Sequence, residues 1–266
     1  MEIAECKGHW ALITGASSGI GREFALQLAA AGVNIALVAR RSALLTELAG
    51  TLSQQHGIRT IVAPADLREA QCVRTLREKL DAHGVRVRLL VNNAAFGRWG
   101  CFEETSDATY RDMLRLNAEA MVALCHGFLP QLASFPTSAV INVSSAACYQ
   151  PVPYMAVYAA TKAFVQSFSQ ALHGEWRERG VHVQTLVPGP TETEFDKIAG
   201  AYESALKGRA NPADVVKQSL LRLGDKSPVV VTTRGTYRQR IFAGLFPPKT
   251  VIATVARMFN PAKRHA

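Results

Sequence analysis

An apolar run, Trp10 to Ile13, breaks at Thr14-Gly15-Ala16-Ser17-Ser18-Gly19-Ile20-Gly21 and passes at once into a helical pattern. Few backbone paths satisfy that order. A strand must end in a turn tight enough to need glycine, and a helix must open directly behind it. Such a turn suits a pyrophosphate. Small residues let the phosphates approach the backbone, and the free N–H groups of a helix start carry partial positive charge. The spacing is Gly-x3-Gly-x-Gly, distinct from the Gly-x-Gly-x-x-Gly of other dinucleotide turns.

The remainder alternates short apolar runs with helical stretches. Strands are predicted over His9 to Ile13, Asn34 to Ala39, Arg59 to Ala63, Arg88 to Val91, Ala139 to Val143, His182 to Val187 and Val229 to Thr232. They are mostly β-branched, as strands buried on both faces should be. Helices are predicted over Ile20 to Ala31, Ser42 to His56 and Glu69 to His83, with a further one around Tyr110 to Leu132. Asn211-Pro212 reads as a cap followed by proline at the first helical position. The alternation predicts an α/β fold, a Rossmann-type doubly wound parallel sheet flanked by helices. With 266 residues, 48% of them apolar, one domain suffices. It is expected over residues 1–240, with a substrate lid at about 190–210 and a helical tail over 241–266.

A second motif completes a chemical argument. In Tyr158-Ala159-Ala160-Thr161-Lys162 a phenol and an amine are four residues apart, hence on one helix face. An ammonium beside a phenol lowers the phenol pKa from about 10 and suits it to proton exchange with a hydroxyl or carbonyl. Ser145, just beyond the strand ending at Val143, is placed to bond the same oxygen.

These residues, taken in order with Asp66-Leu67, Asn92-Asn93-Ala94-Ala95, Asn117 and Pro188-Gly189, resemble the short-chain dehydrogenase/reductase family over roughly residues 8 to 235. Ala95 and Cys148 stand where that family usually has glycine. The resemblance implies a catalytic set of Asn117, Ser145, Tyr158 and Lys162. It also implies a cofactor site built from Gly15, Ser17, Ser18, Gly19, Ile20, Gly21, Asp66, Leu67, Asn93, Ala94, Tyr158, Lys162, Pro188, Gly189, Thr191 and Thr193. Asp66 is expected to meet the adenine amino group, Asn92 to line the crevice, and Asn117 to hold a water beside Lys162. No metal is expected.

Cofactor choice is read at the end of the second strand. An acidic residue there would accept bonds from the ribose and repel a 2′-phosphate. The chain has Ala39 followed by Arg40 and Arg41, and guanidinium groups pair well with phosphate oxygens. NADP(H) is therefore expected over NAD.

The net charge of +9 is read as surface charge plus an anionic cofactor site. The arginines are dispersed and no nucleic-acid module is legible, so no nucleic-acid partner is expected. Five scattered cysteines without metal-ligand spacing suit a reducing cytoplasm. Neither a signal peptide nor a membrane-spanning run is predicted.

Three readings stay open. The stripe Phe164, Phe168, Leu172, Trp176, on a helix expected to stop at Gly180, serves either a homodimer or homotetramer interface or the chain's own core. Phe96, Trp99, Phe102, Val152, Tyr154 and Met155 are candidates for an apolar substrate pocket, fit for a ketone, an acyl-chain β-ketone or a steroid-like alcohol. The segment Ile241 to Phe259, interrupted by Pro247-Pro248, either packs on the domain or a partner, which is preferred, or lies on a membrane. A nucleotide-binding sensor without turnover is the alternative to an enzyme, and the full catalytic set argues against it.

Overall fold

The computed structural model describes residues 1–200 and 208–261. Seven strands form one sheet, β1 Trp10–Thr14, β2 Asn34–Ala39, β3 Thr60–Pro64, β4 Val87–Asn92, β5 Ser138–Val143, β6 Val181–Val187 and β7 Val229–Val231. Their order is β3-β2-β1-β4-β5-β6-β7, and every pairing is parallel. Each predicted strand is found within one residue at either end. The order reverses between β1 and β4, which leaves a crevice beyond their carboxyl ends.

The sheet is buried on both faces, which is why its strands read as continuous apolar runs. Along β1 the side chains alternate between two cores. Ala11 and Ile13 pack with Phe24 and Leu28 of α1 (Gly19–Ala30) and with Leu45 and Leu52 of α2 (Ser42–His56). Trp10 and Leu12 face the other way, toward Leu76 and Leu80 of α3 (Cys72–Ala82). The second face also takes Phe128 of α5 (Ala120–Leu132) and Val165 of α6 (Ala156–Trp176).

Local chemistry sets the helix ends. α2 stops at Gly57, whose φ of +64° is left-handed. After α6 a short 3-10 turn ends at Gly180, at φ +72°, the predicted stop. α8 (Pro212–Gly224) is capped as predicted, with Asn211 Oδ1 accepting from Ala213 N at 2.9 Å. α3 begins three residues later than predicted. Asp66 bonds the backbone N of Arg68, two residues on, and holds that stretch in turns. The helix expected around Tyr110 to Leu132 is found in three parts. They are α4 (Asp107–Leu114), a π turn at Arg115–Glu119, and α5.

The aromatic stripe of α6 runs from core to surface. Leu172 and Trp176 are buried in the second core, Phe168 is half-buried, and exposed Phe164 stacks on Phe168 at 5.4 Å. Of the segment expected as a lid, residues 190–200 and 208–210 are described and residues 201–207 lie outside the described residues. α7 (Phe195–Ala199) falls within it. The tail forms α9 (Arg234–Leu245) and α10 (Pro248–Phe259), separated at Pro247-Pro248. Its end, with Lys263-Arg264-His265, lies outside the described residues.

α10 closes a third cluster over the carboxyl ends of the strands. Val251 and Val255 are buried there against Trp99, Met113, Val152 and Met155. Trp99 Nε1 donates to the Phe259 carbonyl at 2.9 Å, and the two rings lie 4.9 Å apart. No described helix is long and apolar enough to cross a membrane.

A chain ending at Leu245 therefore bares this cluster. Full burial of a valine is worth about 1.5–3 kcal/mol. A chain of this size loses roughly 2–4 °C of melting temperature per kcal/mol. The truncated protein is expected to melt about 6 °C or more below the full chain in a calorimetric scan. An unchanged melting temperature would show that α10 adds nothing to stability.

Candidate active site

The glycine turn between β1 and α1 is locked from across the sheet. Asn93 Nδ2 donates to the carbonyls of Thr14 (3.0 Å) and Gly15 (3.3 Å). Thr14 Oγ1 accepts from the backbone N of Asn93 and Ala94, at 3.0 and 3.1 Å. The turn has no room for side chains at two of its glycines. A Cβ on Gly15 would lie 2.7 Å from Asn93 Nδ2, and one on Gly21 would lie 2.3 Å from the Gly15 carbonyl oxygen. Ser18, at the N-cap of α1, makes no capping bond to the first turn. Those N–H groups are left for an anion.

From this turn a cleft of about 1320 Å³ runs across the strand ends. That exceeds an ordinary small-molecule site of roughly 300–1,000 Å³ and is large enough for a dinucleotide with a second ligand. Among the predicted cofactor residues Gly15, Ser17, Ser18, Gly19, Ile20, Arg40, Arg41, Asp66, Leu67, Asn93, Ala94, Tyr158, Lys162, Pro188, Gly189, Thr191 and Thr193 all line it. Gly21 lies beneath the turn. Asn92 does not line the crevice. Its amide points into the core and donates to Asn142 Oδ1 at 2.8 Å and Cys125 Sγ at 3.4 Å. Successive residues at a strand end face opposite ways, so Asn93 takes the cleft.

Three neighbours of the cofactor end are not evident in the motifs. Arg41 bonds Ser17 and Ser18 and forms an ion pair with Glu194 at 2.9 Å. Asp66 is gripped in a fork by Arg68, which holds its carboxyl down at about 2. Arg68 reaches on to Asp112. Glu194 is far along the chain, so only the fold could pair it with Arg41. Arg68, two residues from Asp66, was within reach of a charge-pair argument.

The other end gathers the chemistry. Ser145 follows β5 and begins a 3-10 turn, accepting from Ala147 N. Its hydroxyl is near enough to the phenol of Tyr158, on α6, to hold that phenol's pKa down. Lys162 Nζ donates to the Val143 carbonyl at 2.9 Å and lies 5.7 Å from the centre of the Tyr158 ring. Ser144 fixes this turn of α6 from below by donating to the Lys162 carbonyl. Tyr158 is further wedged between Gly97 and Phe195. A Cβ on Gly97 would lie 2.6 Å from Phe195 and 3.2 Å from Tyr158.

Asn117 is buried in the π turn and does not touch Lys162 through its amide. Nδ2 donates to the Phe96 carbonyl (2.9 Å) and Thr161 Oγ1 (3.1 Å), and Oδ1 accepts from Phe96 N (3.1 Å). Both amide protons are committed. Its bonds tie the loop after β4 to α6.

The electrostatics reverse one expectation. Burial pushes the Tyr158 phenol up to about 12, only partly offset by Ser145. Burial pushes the Lys162 amine down to about 8. In this geometry loss of hydration outweighs the ammonium–phenolate attraction that the spacing suggests. The phenol is a proton donor at neutral pH.

Of the pocket candidates, Phe96, Trp99, Val152 and Met155 line the cleft. Phe102 and Tyr154 do not. Phe102 lies on the surface, stacked on Tyr110 at 4.9 Å, and Tyr154 faces a separate small hollow. Phe195, Phe242, Val255 and Met258 complete the apolar wall from α7, α9 and α10.

The depressed amine has a pH signature. Between about 8 and the ordinary 10.5 the folded chain holds fewer protons at Lys162 than the unfolded chain. Stability attributable to this group therefore rises with pH across that window. Lys162→Met removes it. The variant is expected to gain on the parent at pH 7.5, by up to about 3 kcal/mol, and to lose that advantage toward pH 10.5 in urea unfolding. A pH-independent difference would contradict a buried, depressed amine.

The comparisons agree with this architecture. The family model described as short chain dehydrogenase matches residues 9–203. A very-long-chain 3-oxoacyl-CoA reductase of Laccaria bicolor is 37% identical over 222 residues, covering 82% of this chain and 64% of that protein. The protein of the same name from Anas platyrhynchos is 32% identical over 196 residues, covering 72% of this chain and 62% of that one. The chain thus spans under two thirds of the length of these relatives. The solved structure of a short-chain dehydrogenase from Sphingobium yanoikuyae in complex with NADPH superposes with a TM-score of 0.80 at 28% identity, covering 90% of this chain and 96% of that one. With its seven-stranded parallel sheet, its glycine turn and a family match over most of its length, the chain belongs to the short-chain dehydrogenase family.

Proposed function

We propose that this chain is an NADP(H)-dependent oxidoreductase that interconverts a carbonyl and a secondary alcohol on a long apolar substrate, in particular the 3-oxo group of an acyl chain. One observation carries the reading. Ser145, Tyr158 and Lys162 converge on the same cleft as the glycine turn, beneath an apolar wall. The names of the relatives support the acyl chain.

The residues present fit the dinucleotide. The turn Gly15 to Gly21 would hold the diphosphate. Arg40 and Arg41 would hold a 2′-phosphate, since β2 ends in Ala39 and offers no acid to repel it. Asp66 and Leu67 would flank the adenine, and Asn93, Ala94 and the stretch Pro188 to Thr193 the remainder. When bound, the cofactor supplies the hydride.

The protein's part is placement and proton handling. Ser145 bonds and polarises the carbonyl oxygen. Tyr158 donates its proton to that oxygen as carbon accepts the hydride, leaving a hydroxyl. Its high phenol pKa keeps the acid form loaded at neutral pH. The Lys162 ammonium then stabilises the phenolate left behind. Asn117, buried in the π turn and bonded to Thr161 beside Lys162, would join a proton path from Lys162 to water. α6 and the wall residues keep water from the reacting atoms.

Exposed Leu114, Val122 and Phe164, on α4, α5 and α6, suit pairing with a second copy. All five cysteines are free, which suits a reducing cytoplasm.

Tyr158→Phe keeps the ring and removes the proton. NADPH oxidation with a long-chain 3-ketone is expected to fall on the order of 10²-fold or more, with NADPH binding retained. Turnover within a few-fold of the parent sinks the assignment. NADPH binding by the parent, without turnover across a broad carbonyl panel, supports a sensor instead. In a second test, replacing Arg40 and Arg41 with Ala is expected to raise KM for NADPH roughly tenfold or more while leaving NADH little changed, because each 1.4 kcal/mol of lost contact is tenfold. Equal changes in both constants would show that these arginines do not read the 2′-phosphate.

A further inference from the structure

After Asp225 the sequence carries eight Lys and Arg and no Asp or Glu, nearly the whole of its formal net charge of +9. The same stretch forms α9 and α10. Counting 3.6 residues per turn, Arg234, Tyr237, Arg238, Ile241 and Leu245 fall within about 100° of one face of α9. That face is turned outward. Tyr237 is 56%, Ile241 45% and Leu245 75% exposed. The opposite side of α9 is spent on the domain, where Gln239 donates to the Ala146 carbonyl and Arg240 lies over the Tyr149 ring. Phe246, at the end of α9, is exposed too, and beyond the proline break α10 exposes Ile252 and Met258 together with Lys249 and Arg257. No ion pair engages Arg234, Arg238, Lys249 or Arg257 among the described residues.

We propose that the outer surface of α9 and α10 is a docking face for an anionic phospholipid bilayer. Large exposed apolar side chains interleaved with unpaired arginines are the composition of an interfacial helix, where the rings and aliphatic chains enter the headgroup boundary and the guanidinium groups meet lipid phosphates. Charge complementarity decides between occupants. A second copy of this chain would bring the same one-signed surface against itself, whereas an anionic leaflet neutralises it. Nucleic acid would match the charge but leave Ile241 and Leu245 without a partner.

The docking face adjoins the cleft, because Arg238, Phe242, Thr254 and Met258 line both the cleft and these two helices. On the proposed function, a long-chain ketone dissolved in the bilayer passes from the membrane to Tyr158 along that wall without crossing water. This second statement rests on the catalytic reading. The docking itself does not.

The experiment is vesicle co-sedimentation of the full chain with phosphatidylcholine alone and with phosphatidylcholine containing 30% phosphatidylserine, at 0.05 and 0.5 M NaCl. Binding is expected only to the anionic vesicles and to weaken at high salt. The variants are Ile241→Ser/Leu245→Ser and, separately, Arg234→Glu. None of these residues lines the cleft, and their melting temperatures control for folding. Each variant is expected to lower the bound fraction several-fold. Each is also expected to raise KM for a vesicle-borne 3-ketone while leaving kcat for a water-soluble ketone unchanged.

Protein that stays in the supernatant with both vesicles overturns the proposal, as does equal binding to neutral vesicles. Variants that fall from dimer to monomer in gel filtration while still sedimenting with vesicles overturn it too, and assign the face to self-association. Absence of turnover on either ketone would instead count against the catalytic reading and leave the sedimentation result standing.

Discussion

The contact on which the site depends is the clamp between Thr14 and Asn93. It ties the end of β1 to the end of β4, where the strand order reverses. Four hydrogen bonds from Asn93 and Ala94 converge on Thr14 and Gly15. The glycines follow from it. With the Asn93 amide seated against the turn, a side chain at Gly15 or Gly21 would overlap it. The free N–H groups of α1 then face the cleft at a fixed distance from β4 and β5, which carry the path to Ser145. A slip of this clamp would separate the phosphate end from the chemical end.

A second constraint is dryness. Tyr158 and Lys162 are buried together, and each is forced toward its neutral form. The spacing of the two residues speaks only for their attraction. It is silent on the hydration both lose when α6 packs over β5 and the roof closes. Desolvation of a fully buried group shifts a pKa by up to 3–5 units, as large as the effect of a neighbouring charge. Here Lys162 lies 5.7 Å from the ring centre and bonds a carbonyl rather than the phenol oxygen. Hydration therefore wins, and the pair is set as acid and latent cation.

What the sequence revealed, and what it hid, divides along the same line. Strand ends and the caps at Asn211 and Gly180 were legible because each depends on a few neighbouring residues. The gathering of Ser145, Tyr158 and Lys162 was legible because an ordered set of motifs fixed one topology. Side-chain orientation was not. Asn92 and Asn93 are chemically alike, and only the register of β4 sends one to the core and the other to the cleft. The partner of Arg41 was hidden because Glu194 is remote in sequence. Phe102 and Tyr154 failed as wall residues for a related reason. Aromatic character near a motif says nothing about which side of a loop faces inward, whereas Phe242 and Met258 reach the cleft from helices far beyond the motifs.

The tail shows how one segment can meet two solvents. In α10, Val251 and Val255 recur at a spacing of four and are drawn into the roof, with Phe259 following beside Trp99. That spacing accounts for one face of the helix and leaves the others free. In α9 the inward positions are taken by Thr236, Gln239 and Phe242, while Tyr237, Ile241 and Leu245 are turned out. Packing and surface docking were posed as alternatives for this segment, but they make demands on different faces. Pro247-Pro248 interrupts any single long amphipathic helix, yet the break is what lets α10 turn back onto the cleft while α9 keeps its basic, apolar face outward. A helix pair so arranged closes the substrate end of the cleft and sets the mouth at its own outer rim.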